Sequence, residues 1–388
     1  MKDVKESMIY LDHSATTRLS DTAKKAMEPY LQEYFGNPAG GYRFAAVSRD
    51  AVEQARKQMA YLLRARPEEI YFTSGGTESD NWALRQAAEL MREKGNHIIT
   101  TAIEHHAVLH TCHELERQGF RVTYLPVDKF GCISTENLFS AICDDTILIS
   151  VMYANNEVGT IQPIQAIGKI TSEMGILFHV DAVQAFGQIP IYPEQLGIDL
   201  MSVSAHKFNG PKGVGLLYVS RNVPLTAFMH GGSQESGMRA GTSNVSGIVG
   251  MTAAAVEWSK NRRKWTAWEQ RLRNYFVMRV LREIPDVTLT GHPKQRLYGN
   301  AHFVFRDING LDFVKYLDQN GIMAATGSAC STGQKKASHV LVAMGYPDDG
   351  SYGALRFTIG YENTKEEIDR TIQVLKEGAA HLRSIAQK

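Results

Sequence analysis

Short apolar, β-rich segments alternate with amphipathic helical segments between about residues 50 and 220. Apolar residues recur at helical spacing between most of the β-rich segments, as in 107–119 and 164–175. This alternation predicts an α/β domain with a mainly parallel, seven-stranded sheet that is covered on both faces. The seven predicted strands are 69–74, 97–102, 121–127, 146–154, 176–182, 200–205 and 214–220.

The pattern changes near residue 245. A long helical tract follows, in which the charged run 260–264 suggests an interruption, and beyond it the chain alternates shorter strands with helices. This second part predicts a smaller α+β unit. We expect a large domain of residues 15–260 and a small domain formed by residues 1–14 and 261–388.

The composition excludes some classes of protein and of binding partner. The 388 residues carry 42 basic and 41 acidic side chains, a net charge of +1, so no electrostatic footprint for nucleic acid is present. The longest apolar run, 146–154, is too short to cross a bilayer. Cysteines 112, 132, 143 and 330 are widely spaced without a CxxC pair, which favours a reducing, cytoplasmic environment.

Polar and ionisable residues follow five of the predicted strands. In an open α/β sheet, ligands bind beyond the carboxyl ends of the strands, so these residues are expected to meet at one site. They are the segments Ser74–Asp80, Glu104–His106 and Asn155–Glu157, the pair Asp181 and Gln184, and the pair His206 and Lys207.

The first of these segments predicts an anion site. Gly75 and Gly76 lead from a strand into a helix, and Thr77 and Asp80 are spaced as a capping box. Free backbone amides at such a helix start can hold a phosphate group, although many Gly-rich junctions bind nothing.

Together these groups match the needs of pyridoxal 5′-phosphate. Lys207 provides an amine that can hold the cofactor covalently, and Asp181 a carboxylate for the pyridine nitrogen. Thr77, Ser204 and His206 would complete the phosphate site. Taken alone, Lys207 is better explained as a solvated lysine, and the neighbouring Asp181 and His206 reverse that interpretation.

Ten motifs along the chain resemble one family. In order and spacing they are similar to those of cysteine desulfurases of the class V aminotransferase family, which are fold-type I pyridoxal-phosphate enzymes. The chain resembles the housekeeping group, which supplies sulfur for iron–sulfur cluster assembly and tRNA thiolation. The matching stretches are YLDHSATT (10–17), FGNPA (35–39), FTSGGTESDN (72–81), EHHAVL (104–109), NNEVGTIQPI (155–164), HVDAVQ (179–184), SAHKFNGPKGVG (204–215), HGGSQESGMRAGTSN (230–244), GSACSTG (327–333) and LRFTIG (355–360).

The resemblance implies roles around the cofactor ring. Lys207 would hold the cofactor and later move the Cα proton of the substrate. His105 would stack on the ring and assist protonation. Asp181 would pair with the ring nitrogen, and Gln184 with the ring hydroxyl.

The resemblance also implies contacts to the phosphate and carboxylate groups. Asn156, which also touches the cofactor, and Arg356 would bind the substrate carboxylate, for which a planar guanidinium is well suited. Thr242 would reach the phosphate of the other protomer of a homodimer. The residues implied for the phosphate within one chain are Gly76, Thr77, Ser204 and His206.

Cys330 narrows the expected reaction. Its run of small residues, with Gly327 and Gly333 on either side, predicts a segment that buries little and can move. By resemblance, Cys330 attacks the sulfur of bound L-cysteine, L-alanine departs, and a persulfide remains for transfer to acceptor proteins.

Two alternatives remain open. A related enzyme of the same family, a selenocysteine lyase or an aminotransferase, would use the same cofactor residues. A non-catalytic metal-binding or scaffold protein could use His106, His110 and His113, which lie at helical spacing. Since Val108 and Cys112 lie on the opposite face, the histidines are better explained as the solvated side of an amphipathic helix, and no metal site is expected.

Three short stretches depart from the family pattern. They are Gly41–Tyr42, Gln234–Ser236 and Gly353–Leu355. We expect them around the mouth of the site and the dimer contact, where they bear on substrate preference and on the sulfur acceptor but leave the cofactor residues intact.

Overall fold

A computed structural model describes residues 8–327 and 338–386. The helices in this part are α1 (Asp21–Met27), α2 (Pro29–Gln32), α3 (Arg43–Leu63), α4 (Gly76–Leu90), α5 (His106–Arg117), α6 (Thr135–Ala141), α7 (Ile164–Met174), α8 (Val245–Glu283), α9 (Gly310–Gln319), α10 (His339–Ala343) and α11 (Lys365–Ala386). The strands are β1 (Ile9–Tyr10), β2 (Ile70–Thr73), β3 (His97–Thr101), β4 (Arg121–Leu125), β5 (Thr146–Met152), β6 (Leu177–Asp181), β7 (Leu200–Ser204), β8 (Gly215–Val219), β9 (Val287–Leu289), β10 (Asn300–Arg306), β11 (Ile322–Met323) and β12 (Tyr352–Thr358).

The large sheet has seven strands in the order β2-β8-β7-β6-β5-β3-β4. Strand β8 runs antiparallel to β2 and β7, and every other neighbouring pair is parallel. All seven predicted strands are confirmed, and so is the mainly parallel α/β fold class. The parallel pairs bring the carboxyl ends of β3, β5, β6 and β7 to one edge of the sheet.

Helices cover both faces of this sheet. On one face, Trp82 of α4 and Val108 of α5 pack against Ile98 and Leu148. The residues that follow Ile98 and Leu148 in the strands point to the opposite face, because side chains alternate along a strand. On that second face, Ile99 and Ile149 pack in the core that contains α3, α7 and the first half of α8.

Helix α8 corrects one expectation from the sequence. The interruption predicted at 260–264 is wrong, since the helix runs unbroken from Val245 to Glu283. The charged run contains neither proline nor glycine, so nothing in it breaks the backbone hydrogen bonds. The first half of the helix packs in the large core, for example at Trp258, and the second half packs in a second core, for example at Leu272. The proposed domain boundary at 260/261 therefore falls inside a continuous helix, where one core gives way to the other.

The second core belongs to a smaller α+β unit. Its antiparallel sheet has the order β12-β10-β9, and β1 pairs in parallel with β11. Phe276 of α8, Phe303 of β10 and Phe357 of β12 form an aromatic cluster with ring centroids 5.1 to 6.3 Å apart. Strands β1, β9 and β11 span only two or three residues each, too few to produce a pattern in the sequence.

Among the described residues, no helix combines the length and the apolar character needed to cross a membrane.

The aromatic cluster makes a test of the small core. Phe303 is fully buried, so Phe303→Ala should lower the free energy of unfolding by about 3–5 kcal/mol through lost burial and a residual cavity. Denaturant unfolding measures the change. Phe139→Ala, at a side chain that is 60% exposed, is the control and should stay within about 0.5 kcal/mol of wild type. Equal effects of the two variants would contradict the assigned core.

Candidate active site

A cavity of about 420 Å³ opens at the edge where the carboxyl ends of the parallel strands meet. Its lining combines these strand ends with the N-terminal segment at Ser14 and Ala15 and with β12. The structure therefore brings together residues that lie up to about 340 positions apart. The predicted site residues that line it are Gly76, Thr77, His105, Asn156, Asp181, Gln184, Ser204, His206, Lys207 and Arg356.

Lys207 is a buried amine, not a solvated one. It ends a single 3-10 turn (Ala205–Lys207) that directly follows β7. Its Nζ donates to the carbonyl oxygens of Ser14 at 2.5 Å and Ala15 at 2.9 Å. Burial, with the nearby charge of Arg356 as a second cause, lowers the pKa of Lys207 to about 8. Roughly a tenth of this amine is therefore unprotonated at pH 7, far more than of an ordinary lysine, whose pKa is about 10.4.

Asp181 is the last residue of β6 and faces the same cavity. Its Oδ1 accepts a hydrogen bond from the Val183 amide at 2.9 Å. Burial raises the pKa of Asp181 to about 6, while the Val183 amide and the Lys207 charge hold it down. The carboxylate therefore remains mostly ionised at neutral pH, as a partner for a protonated ring nitrogen must.

The start of α4 forms a polar recess next to the cavity. Ser204 and His206 also line this recess. Gly75 adopts a φ of 154°, which residues with a side chain rarely adopt, and a Cβ there would point at Ser204 Oγ, 3.6 Å away. A Cβ on Gly76 would come within 2.6 Å of Val183. The two glycines thus keep open a recess at a helix N-terminus, where backbone amides favour an anion.

Asp80 corrects a second expectation. The predicted capping box is wrong, because the N-cap of α4 is Gly75 and not Thr77. Asp80 instead points inward, buried, with its Oδ1 3.6 Å from His179 Nε2 and without a hydrogen-bond partner among the described residues. Burial, and then the charge of Asp181, raises the pKa of Asp80 well above its usual range.

Two of the histidines that line the cavity, His105 and His206, are held in neutral forms. His105 caps α5, and its Nδ1 accepts from the Ala107 amide at 3.1 Å, which leaves the proton on Nε2. Burial, followed by the charge of Lys207, lowers the pKa of His105. The same two causes lower the pKa of His206 to about 4, with Lys212 contributing as well. Each ring can therefore offer one N–H donor without adding positive charge.

Arg356, on β12, lines the same cavity. One terminal nitrogen, NH2, donates to Asp12 Oδ1 at 2.7 Å, and NH1 donates to the carbonyl oxygens of Asn156 and Gly327 at 3.1 and 3.3 Å. Its Nε has no partner within the described residues. The guanidinium is thus fixed in position at the cavity wall with donor capacity to spare.

The structure gives Gln184 a defined contact in the site, but among the described residues it gives no such contact for Thr242. Gln184 Nε2 donates to the Ser14 carbonyl oxygen at 2.9 Å, which ties the N-terminal segment to the site. Thr242 is exposed and does not line the cavity of its own chain. Its role across a dimer stays a prediction, and Cys330 lies outside the described residues.

Pattern reasoning missed several groups that the structure adds. Asp12 belongs to the stretch 10–17, but the sequence predicts no role for it. Glu104 and Glu157 follow strands in the sequence, but no specific role is predicted for either of them. His339 carried no signal, yet its ring lies 4.9 Å from that of His106 at the cavity, so the histidine row is not simply a solvated face. The inner end of that row is part of the cavity wall.

The residues present fit pyridoxal phosphate. A buried amine and a buried carboxylate share one cavity, and a glycine-lined recess at a helix N-terminus lies beside them. The group that would bind there needs an amine for its aldehyde, an acid for its ring nitrogen and an anion site for its phosphate. Each of these three requirements is met by a different strand end.

Comparisons with known proteins agree with this geometry. The family model for aminotransferase class-V matches residues 9–371. A cysteine desulfurase IscS from Methanosarcina thermophila is 49% identical over 97% of this chain and 93% of its own length. A cysteine desulfurase IscS from Dictyoglomus turgidum is 46% identical over 97% and 96%. The solved structure of a NifS-like protein superimposes with a TM-score of 0.90 at 37% identity, covering 97% of this chain and all of that one.

Glu104 is buried next to His105, which lines the cavity, and it provides a pH test of this buried region. Its Oε1 accepts from Thr101 Oγ1 and the Met152 amide, and its Oε2 has no partner among the described residues. Burial raises the pKa of Glu104 from 4.5 to about 8, so folding favours its protonated form. That contribution to stability is complete below pH 4.5 and is lost as the pH rises through about 8.

Glu104→Gln should remove this loss. Between pH 5 and 9, the free energy of unfolding of the wild type should fall relative to the variant by a few kcal/mol at about 1.4 kcal/mol per pH unit. Denaturant unfolding across this range measures it, with Glu93→Gln on the surface as control. Parallel pH profiles for wild type and Glu104→Gln would show that the folded protein does not perturb this carboxyl.

Proposed function

This chain belongs to the class-V aminotransferase family and is a cysteine desulfurase that depends on pyridoxal 5′-phosphate, and we propose how its residues divide the reaction. The substrate is L-cysteine, the carbon product is L-alanine, and the sulfur remains as a persulfide on Cys330. The observation that carries the proposal is the single cavity that holds Lys207, Asp181 and Arg356 together.

The cofactor would be held through its aldehyde, its ring and its phosphate. Lys207 would hold it covalently, Asp181 would face its ring nitrogen, and His105 would lie against its ring. Gln184 would contact the ring hydroxyl. The phosphate contacts proposed within this chain are Gly76, Thr77, Ser204 and His206. When bound, the cofactor supplies an electron sink for the pair of electrons left by removal of a Cα proton.

The chain's own groups then bind the substrate and move its protons. Arg356 and Asn156 bind the carboxylate of cysteine, and the fixed guanidinium orients its Cα toward Lys207. Because its pKa lies near 8, the Lys207 amine is able to accept the Cα proton and return it at neutral pH. The Cys330 thiolate attacks the substrate sulfur, the Cβ–S bond breaks, and Cβ takes up a proton to give alanine.

The destination of the sulfur is a further part of the proposal. We propose transfer from Cys330 to an acceptor protein of iron–sulfur cluster assembly or of tRNA thiolation, in a homodimer to which Thr242 contributes across the interface. The cytoplasm is the proposed compartment, since Cys112, Cys132 and Cys143 are free thiols.

The roles of Lys207 and Cys330 are separable by experiment. Purified holoenzyme is given L-cysteine and a reductant, and sulfide and alanine are measured beside the visible spectrum. Lys207→Ala should lose the cofactor band and both products. Cys330→Ala should keep the band and lose sulfide release by on the order of 10²-fold or more, because the attacking thiolate is gone.

Cys132→Ala, a half-buried thiol outside the cavity, should leave both products unchanged. Undiminished sulfide release by Cys330→Ala, or faster turnover of selenocysteine or of alanine with pyruvate, would assign the chain to a lyase or an aminotransferase instead. A colourless protein that cannot take up the cofactor would favour the scaffold alternative.

Arg356 tests substrate binding. Arg356→Lys keeps the charge but loses the planar fork, so the KM for L-cysteine should rise roughly 10- to 100-fold, the loss expected of one or two charged hydrogen bonds. Steady-state kinetics measure KM and kcat separately, and the cofactor band should be unchanged.

Arg296 offers a matched control. It is an equally buried arginine that donates to the carbonyl oxygens of Val158, Thr290 and Asn300 but does not line the cavity. Arg296→Lys should lower stability and leave the KM unchanged. Equal KM values for wild type and Arg356→Lys would remove Arg356 from the carboxylate site.

A further inference from the structure

A second cluster of reactive side chains lies at the opposite edge of the large sheet. His97 begins β3, Arg121 begins β4 and Thr146 begins β5, while Cys143 and Asp145 lie in the turn just before β5. These are the amino ends of the strands, whereas the cavity is built at their carboxyl ends. The proposed reaction uses none of these residues.

Three ligand types converge in this cluster. His97 Nδ1 lies 3.1 Å from Cys143 Sγ. The ring nitrogen, the sulfur and a carboxylate oxygen of Asp145 all lie within 4.8 Å of one another. Within residues 8–327 and 338–386, this is the one group of three or more such side chains that converges so closely.

His97 is oriented as a metal ligand would be. Its Nε2 lies 2.8 Å from Thr123 Oγ1. A proton on Nε2, donated to that hydroxyl, leaves the lone pair of Nδ1 directed at the cluster, which is how residues behind a metal site fix the tautomer of a histidine ligand. Nδ1 also lies 2.8 Å from Thr146 Oγ1, so a bound metal ion would take the place of that hydroxyl as its partner. His97 itself is buried and held in β3, while Cys143 is exposed, so the cluster has one rigid ligand and an open approach from solvent.

The guanidinium of Arg121 already contacts two of these three side chains. Arg121 NH2 is 3.1 Å from Cys143 Sγ and 2.9 Å from Asp145 Oδ1. The Arg121 side chain is 52% exposed and that of Asp145 is 43% exposed, so this ion pair contributes little to stability and can open at small cost. The guanidinium shows that the cluster attracts positive charge, and it would compete with any metal ion.

We propose that His97, Cys143 and Asp145 form a surface site for a thiophilic divalent transition metal, with zinc as the best match. Nitrogen, sulfur and carboxylate oxygen are the three ligand types that zinc uses in proteins, and three protein ligands leave a fourth position open to water. Binding breaks the S–H bond of Cys143, releases that proton to solvent, and displaces Arg121.

Zinc titration of the cofactor-loaded protein tests the site. A Cys330→Ala background removes the other thiol that is accessible in the proposed mechanism, and a competing metal indicator reports the dissociation constant. One equivalent of zinc should bind. Cys143→Ser should weaken binding by about 100-fold and Asp145→Asn by about tenfold, as expected when a ligand is lost. Cobalt(II) in place of zinc should show a thiolate charge-transfer band that Cys143→Ser abolishes.

A variant of Arg121 distinguishes a metal site from a simple ion pair. Arg121→Gln removes the competing cation, so zinc should bind several-fold more tightly than to the parent protein. Cys132→Ser is the matched cysteine control and should leave the affinity unchanged. Absence of stoichiometric zinc binding, an affinity that Cys143→Ser does not alter, or weaker binding by Arg121→Gln would each overturn the proposal.

Discussion

Parallel pairing of β3, β5, β6 and β7 holds the carboxyl ends of these strands at one edge of the large sheet, and the cavity depends on this alignment. Asp181 and Ser204 are the last residues of neighbouring strands, and Lys207 follows Ser204 after a single turn. A sheet in which these strands alternated in direction would send half of the groups to the other edge. The position of the amine relative to the carboxylate is therefore a consequence of strand direction before any side-chain interaction contributes.

Burial then decides which of the acids in and beside the cavity carries a charge. Asp80, Glu104, Glu157 and Asp181 are all buried, and desolvation is the main cause that raises the pKa of each. Asp181 retains the backbone amide of Val183 and the charge of Lys207, which hold its pKa at about 6, whereas that of Glu104 reaches about 8. At neutral pH the cavity thus has an ionised carboxylate at Asp181, while the buried Glu104 beside it is mostly neutral.

The N-terminal segment joins the two cores at this same place. The carbonyl oxygens of Ser14 and Ala15 accept from Lys207, and Asp12 accepts from Arg356. The Ser14 amide donates to Thr358 Oγ1 in the small sheet. A short stretch of chain therefore positions the amine of the large core and the guanidinium of the small core relative to each other, as α8 does for the cores themselves.

The sequence alone determined the order of elements and the residue types at the strand ends. Hydrophobic periodicity is a local property, so all seven strands of the large sheet and the cavity positions of Lys207, Asp181 and His206 could be predicted. Helix α8 was misjudged at its charged run because the pattern does not show that a single helix can be buried in two different cores. Only the tertiary structure decided that Asp80 points inward, that Asp12 holds Arg356, and that His97 meets Cys143. These contacts join residues that are distant in the chain, and their burial and charge depend on neighbours that no local pattern contains.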